Sequence, residues 1–178
     1  IERMLLTLGD DLYSHRDRVL LLIAYENLLR RSELISLRME DLKPLDHPQY
    51  CAKILLRKSK TDPFKEGRWL YLTEETYTAI NTWSKAANIK QGYLLRGIRK
   101  GNHLTQQLTG CQVNKILKKR AVDAGLTKEV VDHISGHSIR VGAAQDLCLQ
   151  GFSLPQIMAK GRWVKTETLM RYIEHTII

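Results

Sequence analysis

A chain of 178 residues with 43% apolar content can bury one good hydrophobic core and is short for two. Its longest apolar run, Val19 to Tyr25, is closed off by Arg18 and Glu26. That is far below the ~18 residues a membrane span needs, so no membrane partner is expected. The balance of 28 basic against 19 acidic residues leaves a net charge of +9, a footprint for a polyanion and most simply for nucleic acid.

The basic residues fall in separate clusters at Arg57-Lys58-Ser59-Lys60, at Arg96 to Lys100 and at Lys115 to Arg120. Several patches suit contact with a backbone that wraps better than one basic tail would. Three scattered cysteines, Cys51, Cys111 and Cys148, lack any CxxC spacing. They point to free thiols in a reducing, cytoplasmic setting and away from a disulfide framework or a zinc site. The chain opens at Ile1 with neither methionine nor signal peptide, as expected of a single domain, residues 1–178, cut from a longer protein.

In chain order, apolar spacing predicts a helix over His15 to Leu29. It continues over Arg30 to Leu42, where Leu34, Ile35, Leu37 and Leu42 recur mostly at three- and four-residue steps. Pro44, Asp46 and Pro48 break the pattern. Tyr50 to Arg57 and Arg68 to Leu72 read as two strands, joined through the polar KSKTDPFKEG into a small hairpin. Thr73, followed by Glu74 and Glu75, opens a helix to about Ala87, with a hydroxyl cap and acids in the positive first turn. Gln91 to Thr109 is irregular. Gly110 to Ala124 is a basic amphipathic helix on Val113, Ile116, Leu117 and Ala121, ended by Gly125. Thr127 caps a short helix, and another follows from Ser135 to about Gly151. Ser153-Leu-Pro-Gln156 is a capping box with proline in the first turn, starting a helix to about Lys160. Gly161-Arg-Trp163 is a turn and Lys165 to Glu174 a last short helix. The fold class is mainly α with one small antiparallel β element.

Chemistry concentrates late in the chain. In SGHSIRVGAAQDL, Ser135 to Leu147, His137 and Arg140 stand three apart and share a helix face, while Val141, Ala143, Ala144 and Leu147 turn to a core. Read alone, this HxxR is a weak signal, and a solvated first turn is its simpler reading. Four features add to it: Arg30 in LLRRSELISLRMEDL with Glu33 three residues on, Lys60 in the hairpin connection, Trp163 after Gly161-Arg, and Tyr172 nine residues later. Each has a plain alternative. Arg30 could be a surface cation paired with Glu33, Lys60 a solvated turn lysine, Trp163 a core residue and Tyr172 a packed aromatic.

Together they supply two arginines, a lysine, a histidine, an indole N–H and a phenol. This is the inventory for attacking a phosphodiester without a metal. Forked guanidinium groups hold the non-bridging oxygens. A lysine or histidine protonates the leaving sugar hydroxyl, and a tyrosine oxygen forms an ester that stores the energy of the broken bond. No GxxxxGK[ST] loop is present, so neither ATP nor another cofactor is expected.

AYENLLRRSELISLRMEDL, the hairpin RKSKT, and SGHSIRVGAAQDL followed by SLPQIMAKGRW and MRYI resemble the tyrosine recombinases, or phage integrases. The likeness covers nearly the whole chain, thinly between Leu72 and Asp132. It implies the catalytic-domain fold of DNA breaking-rejoining enzymes and strand transfer through a 3′-phosphotyrosyl intermediate, in a bacterial or phage nucleoid context. By resemblance Arg30 and Arg140 bind the phosphate, Lys60 is the hairpin general acid and His137 is the histidine of HxxR. Trp163 stands where many relatives carry a second histidine, Glu33 supports the site and Tyr172 is the nucleophile. Arg31 falls where the family pattern has an apolar residue. Further contacts to double-stranded DNA are expected from Arg31, Arg57, Lys58, Lys115, Lys118, Lys119 and Arg120. The resemblance also implies an N-terminal domain that clamps the other side of DNA and a tetramer on paired sites in the full-length protein. Two rival functions use the same features: relaxation of supercoils by a type IB topoisomerase, and DNA binding without cleavage. In the absence of DNA, the short closing helix is expected to hold the Tyr172 hydroxyl loosely and away from Arg140.

Overall fold

The computed structural model describes residues 1–59 and 66–176. A five-residue helix, α1 (Glu2–Leu6), too short for apolar spacing to reveal, precedes the first long one. Helix α2 (Leu12–Glu26) starts where the Asp11 carboxylate accepts the Tyr13 and Ser14 amides at 3.0 and 3.1 Å, satisfying donors that a helix start leaves open. Val19, Leu20, Leu21, Ile23 and Ala24 are buried, so α2 runs through the core.

The expected continuation to Leu42 does not form. Helix α3 (Arg31–Ser36) is short, and Leu37 is extended at φ −64° and ψ 144°. The reason is distant pairing: Leu94 donates its amide to the Leu37 carbonyl at 2.8 Å, and Met39 to the Gly92 carbonyl at 2.9 Å. A 3-10 turn (Met39–Asp41) then leads into a strand, β1 (Leu42–Pro44), that local patterning did not reveal. With β2 (Ala52–Leu56) and β3 (Arg68–Leu72) it makes an antiparallel sheet in the order β1-β2-β3, in which Ile54 faces Leu42 on one side and Leu70 on the other. Ala52, Ile54 and Leu56 alternate into the core, the period-2 signal of a half-buried strand. Pro44, which has no amide to donate, sits on the edge strand.

Helix α4 (Glu74–Ala86) packs on α2, and its fully buried Trp83 donates Nε1–H to the Leu94 carbonyl at 2.8 Å. Thr73 stands at the N-cap, but its hydroxyl bonds the Thr76 side chain rather than the helix backbone. Helix α5 (Gly110–Asp123) opens on a reciprocal cap between Thr109 and Gln112, with bonds of 3.2 and 2.8 Å. Then come α6 (Lys128–His133), α7 (Gly136–Leu149), α8 (Leu154–Gly161) and α9 (Thr166–Ile173). Among the described residues no helix is long and apolar enough to cross a membrane.

Two apolar clusters result. The larger gathers α2, α4, the sheet and α5; the smaller joins Leu28 to Ala143, Ala144, Ile157, Trp163, Leu169 and Ile173. Helix α7 gives Ile139 to the first and Ala143 and Ala144 to the second, so Arg140 between them is carried into the seam. Eight residues make a marginal helix in isolation. Burial of Leu169 and Ile173, roughly 1.5–3 kcal/mol each, is what holds α9 in place.

Candidate active site

The seam between the two clusters collects the reactive side chains. Arg30 stands at the N-cap of α3, and its backbone amide donates to Glu33 Oε2 at 2.9 Å. Its guanidinium reaches Glu33 Oε1 at 2.7 Å and lies 3.4 Å from the Ser59 hydroxyl. The Ser59 hydroxyl donates to the same carboxylate oxygen at 2.7 Å, fastening the end of the β2 arm to the site. Burial opposes the charge of Glu33. The Arg162 cation and hydrogen bonds from Arg30 and Ser59 outweigh it and hold the carboxyl below its usual range.

Arg140 is only 2% exposed. One terminal nitrogen donates to the Leu28 carbonyl and the other to the Gly161 carbonyl. The flat face of its guanidinium lies on Trp163, with Cζ 4.0 Å from the ring centroid. Gly161 makes this stack possible: a Cβ there would fall 1.8 Å from Trp163 Cζ3. Two of five N–H groups are thus spent on carbonyls that fix the plane of the fork, and the others remain for a ligand. Burial, then the nearby Arg30 and Arg162, brings the Arg140 pKa down. An anion placed here reverses that penalty.

The His137 ring meets Tyr172 edge-on at 5.2 Å between centroids, and Trp163 lies 6.0 Å from Tyr172. Gln145 on α7 donates to the Tyr172 carbonyl at 2.8 Å. The Tyr172 ring therefore packs beside His137 and Trp163, the indole on which Arg140 lies. Burial, with help from Arg140 and Arg30, lowers the pKa of His137 below the usual 6.5 and keeps the ring neutral at physiological pH. Arg30, Arg31 and His137 line a cleft of about 340 Å³ with Ser32, Asn114 and Ser135.

Arg30, Glu33, His137, Arg140, Trp163 and Tyr172 are thus brought together from α3, α7, the turn after α8, and α9. Lys60 lies outside the described residues; its chain neighbour Ser59 is bonded into the site. The expected DNA contacts divide. Arg31 is exposed, its side chain passing between Gly110 and Gly136. Lys58, Lys115, Lys118 and Lys119 are exposed on the surface. Arg57, also exposed, grips Asp41 through two bonds of 2.6 and 2.9 Å. Arg120 departs from expectation. It is 6% exposed and donates to Oδ2 of the buried Asp17 at 2.7 Å, while Arg16 holds Oδ1 at 2.8 Å, so its charge is used inside the fold.

Sequence reasoning missed Arg162. It is 6% exposed, adopts a left-handed backbone at φ 59°, and pairs with Glu33 at 2.8 Å. The only local signal was its place between Gly161 and Trp163, which says nothing about a carboxylate on α3.

Comparison with known proteins agrees with the fold and with the family resemblance. Residues 1–177 match the phage integrase family. The chain is 28% identical to the Cre recombinase of Escherichia phage P1 over 184 aligned positions, covering 97% of this chain and 53% of that protein. It is 30% identical over 166 positions to a XerD-like integrase/recombinase of Selenomonas ruminantium, covering 89% of this chain and 47% of the relative. The chain thus spans about half the length of these curated relatives. Among solved structures, XerH site-specific recombinase bound to a palindromic difH substrate superposes with a TM-score of 0.75 at 18% identity, over 98% of this chain and 48% of that one. XerA recombinase follows at 0.69 and 17%, over 96% and 55%. With its helical fold, small antiparallel sheet and seam of arginines, histidine, tryptophan and tyrosine, the chain belongs to the phage integrase family.

Proposed function

We propose that this is the catalytic domain of a site-specific DNA recombinase that cleaves and rejoins DNA through Tyr172, without metal or ATP. The observation that carries the reading is the buried Arg140, held flat between two carbonyls and Trp163, with the His137–Tyr172 pair beside it. Among the described residues no carboxylate is bonded to this buried fork, which suits it to an anion, and a histidine and a tyrosine able to serve as base and nucleophile pack in the same cluster.

The phosphodiester enters over Arg140, and Arg30 takes a second non-bridging oxygen. The Tyr172 oxygen attacks phosphorus and the bond to the 5′ oxygen breaks, leaving a 3′-phosphotyrosyl ester and a free 5′ hydroxyl. Neutral His137 accepts the phenol proton, and Lys60 delivers one to the departing oxygen. Attack by a 5′ hydroxyl reverses the steps and rejoins a strand. Arginine charge stabilises the transition state, so the scheme requires no metal. Glu33 orients Arg30. Arg31, Lys58, Lys115, Lys118 and Lys119 contact the duplex backbone, as does Arg57 from its pairing with Asp41. The XerH structure is named as bound to its difH substrate, and a Tn1549 transposon integrase of similar fold as a complex with circular intermediate DNA, which supports double-stranded DNA as the partner. Pairing of sites by a tetramer, and a clamp on the far side of DNA, belong to the full-length protein.

The test is trapping on a pool of nicked duplexes of randomised sequence, followed by mass spectrometry of the peptide left on DNA. The adduct is expected on Tyr172 and absent in Tyr172→Phe, with fold and affinity retained. An adduct on Tyr93, or one surviving in Tyr172→Phe, overturns the mechanism. Relaxation of supercoiled plasmid of any sequence would favour the topoisomerase reading.

A further inference from the structure

Two guanidinium groups, those of Arg30 and Arg162, are bonded to a single carboxylate, Glu33. Glu33 Oε1 accepts from Arg30 Nη1 and from Ser59, both at 2.7 Å. Oε2 accepts from the Arg30 amide at 2.9 Å and from Arg162 Nη2 at 2.8 Å. Four donors fill the four acceptor sites of an ionised carboxylate.

Arg162 is anchored more firmly than an ordinary ion-pair partner. It also donates to the carbonyls of Asn27, Lys160 and Leu28, each at 3.1 Å. Its backbone is in the left-handed region, which glycine would occupy with less strain. An outlier of this kind persists where the side chain has work that glycine cannot do. The Leu28 carbonyl it binds is the same one that holds Arg140.

The geometry points to Arg162 as a positioning residue: it takes a share of the charge of Glu33, so that Arg30 stays free to bind a DNA phosphate. This rests on the reading that Arg30 meets phosphate at this site. With Arg162 replaced by a neutral residue, Arg30 is, among the described residues, the remaining cation bonded to a carboxylate that is 2% exposed. A buried anion then competes with phosphate for the same fork.

The test is a double-mutant cycle in DNA binding, which needs no cleavage. Affinity for a random-sequence duplex at low salt is measured for the protein, Arg30→Gln, Arg162→Gly and the double variant. Glycine suits the left-handed backbone, so Arg162→Gly is expected to fold. Arg30→Gln should weaken binding about five- to tenfold in the starting protein and less than about twofold in the Arg162→Gly background. Arg162→Gln, which keeps a donor but loses the charge, should give the same loss of coupling. It serves as the test should the glycine variant not fold. Arg162→Lys should restore the Arg30 effect, a rescue that a purely structural brace would not show. An Arg30→Gln effect that is absent from the starting protein, or equal in all backgrounds, overturns the assignment. If coupling is found but Tyr172 forms no adduct on DNA, the recombinase reading fails and the role of Arg162 stands.

Discussion

Gly161→Ala probes the stack at the centre of the site. Gly161 is the last residue of α8 and its φ is not in the left-handed region, so alanine by itself favours the helix by about 1 kcal/mol. Its Cβ, however, would lie 1.8, 2.2 and 2.7 Å from Cζ3, Cε3 and Cη2 of Trp163. Comfortable contact needs about 3.5 Å, so the ring must retreat by more than about 1.5 Å. Trp163 is 7% exposed and packed among Leu28, Ile157 and Leu169, so retreat carries it off Arg140. Overpacking costs about 1–3 kcal/mol, and a desolvated cation–π contact is worth about 2 kcal/mol. Set against the helix gain of about 1 kcal/mol, the net loss is about 2–4 kcal/mol, which leaves a domain of ordinary stability folded, with a melting temperature lower by roughly 5–15 °C. Displacement of the surface that keeps the Arg140 fork flat should slow cleavage roughly 100-fold. Single-turnover adduct formation reports the rate, and the indole N–H resonance of Trp163 reports the ring. Wild-type cleavage with an unmoved resonance would refute the claim that the stack positions Arg140.

The arginines themselves separate by role. Arg140→Lys keeps the charge but loses the fork, so cleavage should fall by orders of magnitude while duplex affinity changes little; Arg30→Lys should behave alike. Arg31→Lys, exposed at the edge of the cleft, should cost only a few-fold in binding. A larger cleavage defect for Arg31→Lys than for Arg30→Lys would reverse their assignment. Glu33 has a folded-state pKa below the ordinary 4.5, so its ion pairs stabilise the fold above that value and lose their contribution as pH falls through the lower one. Melting temperatures recorded from pH 5 downward should decline less steeply in Glu33→Gln, which is less stable at neutral pH. Duplex affinity should drop steeply as salt rises from low to physiological strength, because the exposed lysines meet phosphates. An isotherm indifferent to salt would count against a backbone-binding surface.

Local patterning by itself carried most of the helical fold. The Thr127 cap, the alternation of Ala52, Ile54 and Leu56, and the capping box at Ser153 are short-range effects, and short-range chemistry is what local patterning reports. The shared face of His137 and Arg140 was legible for the same reason. Where local pattern and distant pairing competed, pairing prevailed. Spacing through Leu42 read as helix, yet Leu37 and Met39 gave their backbone groups to residues 92–94. The electrostatics of the site lay further out of reach. Arg162 and Glu33 are 129 residues apart, Arg120 and Asp17 are 103 apart, and the Leu28 carbonyl that fixes Arg140 lies 112 residues before it. A basic residue in a sequence window reads as surface charge, and in Arg120 and Arg162 that reading fails. Only the folded chain brings the carboxylate that makes burial of the cation affordable. The sequence thus determined which groups face together along one helix, and the tertiary structure decided which charges remain free to meet DNA.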